Sequence, residues 1–136
     1  TRLCFNANKR WIIFFDINAA GQIVASPQGG TAITLTGVDA SLYHTHEIVY
    51  SAAAQTADYL VDGVVKVSGW TGTTGTANGV RFGTESSGGR GDGYYNRVSF
   101  VINDPPPPPV PTTRRSSAGA TSSRSRAAVI ATPQGI

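Results

Sequence analysis

The sequence predicts an all-β protein, an antiparallel jelly-roll-like β-sandwich with a Pro-rich C-terminal extension. Three observations lead there. Asp62-Gly63 sits between two β-branched runs, and Asp-Gly in that setting is a strong hairpin signal, because a type I′ turn needs positive φ at both central residues. Thr, Ser, Val and Gly dominate and Met is absent, so no window has the Ala/Leu/Glu/Lys mixture that helices prefer. Short apolar or alternating runs also recur at regular spacing between turn residues, as in sandwiches.

Taken in order, residues 2–17 hold two strands, with a polar turn at 6–9. The run 11–15 (WIIFF) is apolar throughout, as where both faces are covered. A third strand begins at 22–25 and ends in the turn 26–30 (SPQGG). Residues 31–36 alternate Thr with Ile33 and Leu35, which predicts those two pointing inward. In 43–50, alternation places His44, His46, Ile48 and Tyr50 on one face. The run 57–60 and the return at 64–67 flank the Asp62-Gly63 turn. Residues 69–79 (GWTGTTGTANG) read as a Gly/Thr loop, 80–83 as a short strand, 84–93 as a second Gly-rich loop and 94–103 as an alternating strand.

A new regime starts after Asp104. Residues 105–109 are five consecutive prolines, which favour a stiff polyproline II spacer of roughly 3.1 Å per residue. The stretch to 126 is Ser/Thr/Arg-rich, and 127–136 (AAVIATPQGI) turns apolar again. The expected organisation is a sandwich at 1–104, a linker at 105–126 and a strand-like tail at 127–136. The 136 residues carry a net charge of +3. Residues 1–104 hold seven Lys/Arg against eight Asp/Glu, whereas 105–136 hold four Arg and no acid, so the basic character belongs to the tail. Those arginines lack the aromatic interleaving of nucleic-acid binders, which argues against a nucleic-acid partner. Cys4 is the only cysteine, so no disulfide forms within the chain, and a buried thiol is expected. No apolar run approaches the ~20 residues of a membrane-spanning helix, and no signal peptide is seen; the chain reads as a processed form or a fragment.

Within residues 43–67 and 80–102, the segments Tyr43-His44, Ile48-Val49-Tyr50, Tyr59-Leu60-Val61-Asp62-Gly63, Arg81-Phe82-Gly83 and Tyr95-Asn96-Arg97-Val98 together resemble the C-terminal half of a laminin-G-like, or concanavalin A-like lectin/glucanase, jelly roll. The resemblance implies an extracellular module that binds glycans or matrix and cell-surface partners, often near calcium. Asp62, Asp92 and Asp104 are loop or turn oxygens that suit calcium, but no closely spaced acidic loop exists, so no cofactor is assigned. Such jelly rolls use more strands than 104 residues supply. The shortfall leaves an open edge, and the tail is the candidate donor. Residues 23–29 (IVASPQG) and 129–135 (VIATPQG) are identical at four of seven positions. Either short apolar strands coincide there, or the tail fits a strand site like that of 22–29. Val129, Ile130, Ala131 and Pro133 are then the assembly residues of a homopolymer.

Catalysis finds no support. Glycosidases on such scaffolds use paired carboxylates, but Val49 and Ser51 occupy the positions two and four beyond Glu47. His44-x-His46 has a metal-site spacing but no identifiable third ligand, so no metal site is assigned. Arg90-Gly91-Asp92 is an RGD tripeptide in a Gly-rich loop, more simply read as a turn. Pyranose faces stack on aromatic rings, so Trp70, Tyr94 and Tyr95 are carbohydrate-binding candidates, with Asn78 and Asn96 as hydrogen-bonding partners; core packing is the competing role for Trp70. The sequence thus predicts a non-enzymatic binding or adhesion module. The alternative is a structural subunit that donates its tail strand to a neighbouring copy.

Overall fold

The computed structural model describes residues 1–83 and 94–101, and the backbone of 124–132. The strands are β1 (Arg2–Ile17), β2 (Ile23–Pro27), β3 (Ile33–Thr34), β4 (His44–Ser51), β5 (Thr56–Val61), β6 (Val64–Trp70), β7 (Thr73–Gly83), β8 (Tyr94–Val101) and β9 (Arg124–Thr132). They form two antiparallel sheets, β3-β2-β1-β7 and β6-β5-β4-β9-β8. Inward residues of both sheets, including Phe5, Trp11 and Ile13 from one and Ile48, Tyr50 and Tyr59 from the other, share one core. The chain is therefore an all-β sandwich.

β1 occupies two lanes of its sheet. Phe15 N donates to Thr1 O at 2.8 Å, and Thr1 N donates to Phe15 O at 3.2 Å. An uninterrupted strand would hold these residues roughly 45 Å apart, at about 3.3 Å per residue. The chain instead doubles back at Asn8, whose φ is 59°, a left-handed conformation that Asn tolerates better than most residues. The polar turn expected at 6–9 is this reversal. It sets Phe5 beside Trp11, with ring centroids 5.9 Å apart.

β7 then wraps the end of the doubled strand. Thr73 and Thr74 pair with Arg10 and Lys9, and Asn78 to Gly83 pair with Ala7 back to Arg2. Residues 75–77 cross the tip between the two ladders. Most of the Gly/Thr stretch expected to be a loop is thus strand, because β1 supplies partners for its backbone and tertiary pairing overrides weak local propensity. The hairpin expected around Asp62-Gly63 forms, with φ of 49° and 78°. The strand expected over 31–36 is only Ile33–Thr34, although Leu35 is buried as predicted.

The tail is also placed. β9 lies in its own chain between β4 and β8, and pairs with both. It occupies the sheet opposite β2, so the structure does not use the 23–29 likeness as a shared strand site. It begins at Arg124, inside the segment expected to be linker. Residues 84–93, with the Arg90-Gly91-Asp92 motif, and 102–123, with Asp104 and the prolines, lie outside the described residues, as does Pro133.

Candidate functional site

The doubling of β1 decides which side chains share its outward face. Leu3, Phe5, Trp11, Ile13 and Phe15 point into the core. The alternate residues, Arg2, Cys4 and Asn6 on the first arm and Arg10 and Ile12 on the second, take the other face. Arg81 of β7 pairs with Cys4 and joins them. The result is a cleft of ≈ 150 Å³ that these six residues line together with residues 75–77. Cys4, Asn6 and Ile12 form a buried floor, and the arginines rise around it.

Asn6 Nδ2 donates to Cys4 Sγ at 3.2 Å and to Gly79 O at 3.4 Å. Burial pushes the Cys4 thiol above its ordinary pKa; the Asn6 hydrogen bond and the positive charges of Arg2, Arg10 and Arg81 oppose that only in part. All three guanidiniums therefore act on the cleft floor, while the thiol stays protonated and is no nucleophile. Among the described lining residues there is no carboxylate and no histidine. Guanidinium forks and an amide suit binding of carboxylates, sulfates and hydroxyls.

The sequence-predicted sugar residues do not converge. Trp70 is buried at 6% exposure, its Nε1 donates to Gln28 O at 3.0 Å, and its carbonyl accepts from Trp11 Nε1 at 2.9 Å. That is the core-packing role, and its ring offers no open platform. Tyr95 is half-buried; its hydroxyl accepts from Gly83 N at 3.0 Å and donates to Arg2 O at 3.3 Å, so it ties β8 to the first arm of β1. Tyr94 and Asn96 are exposed on β8, where Asn96 is the extra residue of a register shift. Asn78 Oδ1 accepts from Asn8 N at 3.1 Å, and Asn78 borders a separate apolar opening with Phe5, Tyr50, Val80 and Phe100. In β9, Val129 lies opposite His46 and Val98, Ile130 opposite Thr45 and Arg97, and Ala131 opposite His44 and Tyr95.

The two histidines serve the fold. His44 Nδ1 meets Asp62 Oδ2 at 2.6 Å, and its Nε2 meets Asp39 O at 2.8 Å. Burial alone would lower its pKa, but these partners hold it above the ordinary value. His46 is buried against Phe15, with Nδ1 bonded to Tyr59 Oη at 2.8 Å. Burial, with the neighbouring His44 charge, lowers its pKa to about 4. Among the described residues no group of three His, Cys, Asp or Glu side chains could hold a metal ion. Asp62, a calcium candidate, is spent on His44 and on Thr45 N.

His46 makes the stability of the fold depend on pH. The unfolded chain binds a proton at this histidine from about pH 6.5 downward, and the native state resists it until about pH 4. Between these values the unfolded state holds more protons, so stability falls as pH falls. The loss is of order 3 kcal/mol across that window, at 1.36 kcal/mol per pKa unit. His46→Phe should flatten this part of the profile, measured as urea midpoint against pH from 7 to 4. An unchanged slope would place the acid sensitivity elsewhere.

The family model described as Vibrio cholerae sialidase, lectin insertion, matches residues 2–105. The chain belongs to this family. No curated protein and no solved structure matches it. Membership makes the sandwich a lectin-like, carbohydrate-binding-like module of a non-catalytic kind. It gives no direct support to the laminin-G or concanavalin A-like assignment. The match stops at residue 105, before β9 begins. Arg2, Asn6, Arg10 and Arg81 are not among the site residues that the sequence predicts. The signal was present in the alternation of residues 2, 4 and 6 and of 10 and 12 about a turn at 8, but only the fold-back makes those faces coincide.

Proposed function

We propose that this sialidase-lectin-family sandwich is a non-enzymatic, extracellular binding module that holds acidic glycans in the cleft of Arg10, Arg81 and Asn6. The observation that carries this reading is a concave face with converging guanidiniums and no described carboxylate. Arginine forks grip carboxylates bidentately. The family name couples a lectin to a sialidase, and sialic acid is a sugar with one carboxylate. Adhesion to sialylated surfaces is the biological role this chemistry would serve.

The test is titration of the full chain with sialyllactose and with neutral lactose. Sialyllactose should bind and lactose should not. Arg10→Ala combined with Arg81→Ala should weaken binding at least tenfold, with the melting temperature nearly unchanged because Arg81 is exposed and Arg10 only half-buried. Equal binding of both sugars, or binding indifferent to the substitutions, would move the site off this cleft.

A second reading, assembly by strand donation to a neighbouring copy, is favoured by one observation. β9 is an internal strand of its sheet, yet 22 residues separate it from β8, where a two-residue turn joins antiparallel neighbours. A connection of that length lets β9 reach another copy. Light scattering of the full chain over a hundredfold concentration range decides it. Oligomers that Val129→Asp abolishes would support assembly, and a monomer throughout would end it.

A further inference from the structure

We propose that the cleft is built for a saccharide carrying two anionic groups, one held by Arg10 and the other by Arg81. This rests on the acidic-glycan reading above and adds the charge of the ligand. The two arginines stand on opposite sides of the first arm of β1. The Thr1–Phe15 register sets Arg10, on the second arm, beside Asn6, and Arg81 lies on β7 opposite Cys4. Two strand spacings of about 4.8 Å and one two-residue step of about 6.7 Å separate their backbones by roughly 12 Å. Their side chains nonetheless line one cleft of ≈ 150 Å³.

One carboxylate carries a single negative charge, so a ligand with a lone carboxylate leaves the pair of guanidiniums with a net positive charge even where both donate to it. Coulomb repulsion between two converging cations is relieved in full only by two negative charges. The described lining supplies none. Arg2 flanks the same floor and adds to its positive potential. The cleft is too small for a whole disaccharide. It accepts the charged substituents and a ring edge, while the rest of the glycan lies along the open face of the sheet. The ligand class is therefore a carboxylated sugar that also bears sulfate, or a sugar with two sulfates.

The experiment titrates the full chain with two matched pairs, sialyllactose with and without a sulfate, and a uronic-acid disaccharide with and without a sulfate, at three salt concentrations. In at least one pair the sulfated member should bind tenfold or more tightly, and its log Kd should rise about twice as steeply with log salt concentration. Arg81→Gln and Arg10→Gln should each return that slope to the singly charged value, while Arg81→Lys should retain it. Singly charged probes that bind as well as their sulfated partners, with the same salt slope, would overturn the two-anion inference and leave the acidic-glycan reading standing. Failure of every charged probe to bind would overturn both.

Discussion

A chain ending at residue 104 is expected to lose the cooperative fold. β9 pairs with eight residues of β4 on one side and seven of β8 on the other. Its removal opens the five-stranded sheet at an internal position. β4 then exposes a row of unpaired backbone groups, and β8 loses its ladder with β9. Buried, unpaired peptide groups cost about 1–3 kcal/mol each, and small domains rest on only about 5–15 kcal/mol in total. The truncated protein should show no sharp thermal transition, bind a hydrophobic dye and aggregate. A synthetic peptide of residues 122–136 added in trans should restore the transition, since the β4–β8 groove takes an extended strand by main-chain hydrogen bonds. A truncated chain that melts within a few degrees of the full chain would show instead that residues 1–104 close the sheet without β9. The outcome also bears on strand donation, because only a groove that needs β9 can recruit it from another copy.

What was legible in the sequence follows the range of the interactions involved. The Asp62-Gly63 hairpin and the turn at 6–9 are set by adjacent residues, and both stand in the structure. Ile48, Tyr50 and His46 lie inward because two-residue alternation is local. β7 was not legible. Gly72, Gly75 and the threonines around them have turn chemistry by composition, and a strand forms only because β1, more than sixty residues earlier, offers its two arms. The basic cleft is a product of the same event. Arg2, Arg10 and Arg81 are scattered in the chain and meet only once β1 doubles and β7 wraps it. Trp70 divided between a sugar platform and the core, and Trp11 of β1 and Gln28, just after β2, decided for the core. The apolar tail was recognisable as strand-like, but its lane between β4 and β8 depends on long-range register that no local pattern encodes.

Trp11→Ala is expected to be the most damaging single substitution. The indole is fully buried and packs on Phe5 and on Tyr50, whose ring centroid lies 4.8 Å away. Removing a buried Trp costs about 3–5 kcal/mol through lost transfer energy and the cavity left behind. The substitution also strips Trp70 O of its 2.9 Å donor, so Trp11→Phe, which keeps most of the apolar volume, should recover much but not all of the loss. Gly72 makes the environment of the ring testable by coupling. Its φ is 66°, and a Cβ there would lie 2.7 Å from Arg10 O and 2.8 Å from the Trp11 ring. Gly72→Ala should therefore be strongly destabilising in the natural sequence. In the Trp11→Ala background the ring contact is gone and only the Arg10 carbonyl and the backbone strain remain, so the added cost should shrink. Urea midpoints of the two single variants and the double variant measure that coupling. A Gly72→Ala penalty that is equal in both backgrounds would assign the need for glycine to the Arg10 carbonyl and to φ alone, and would mean that the indole does not press against the strand that wraps it.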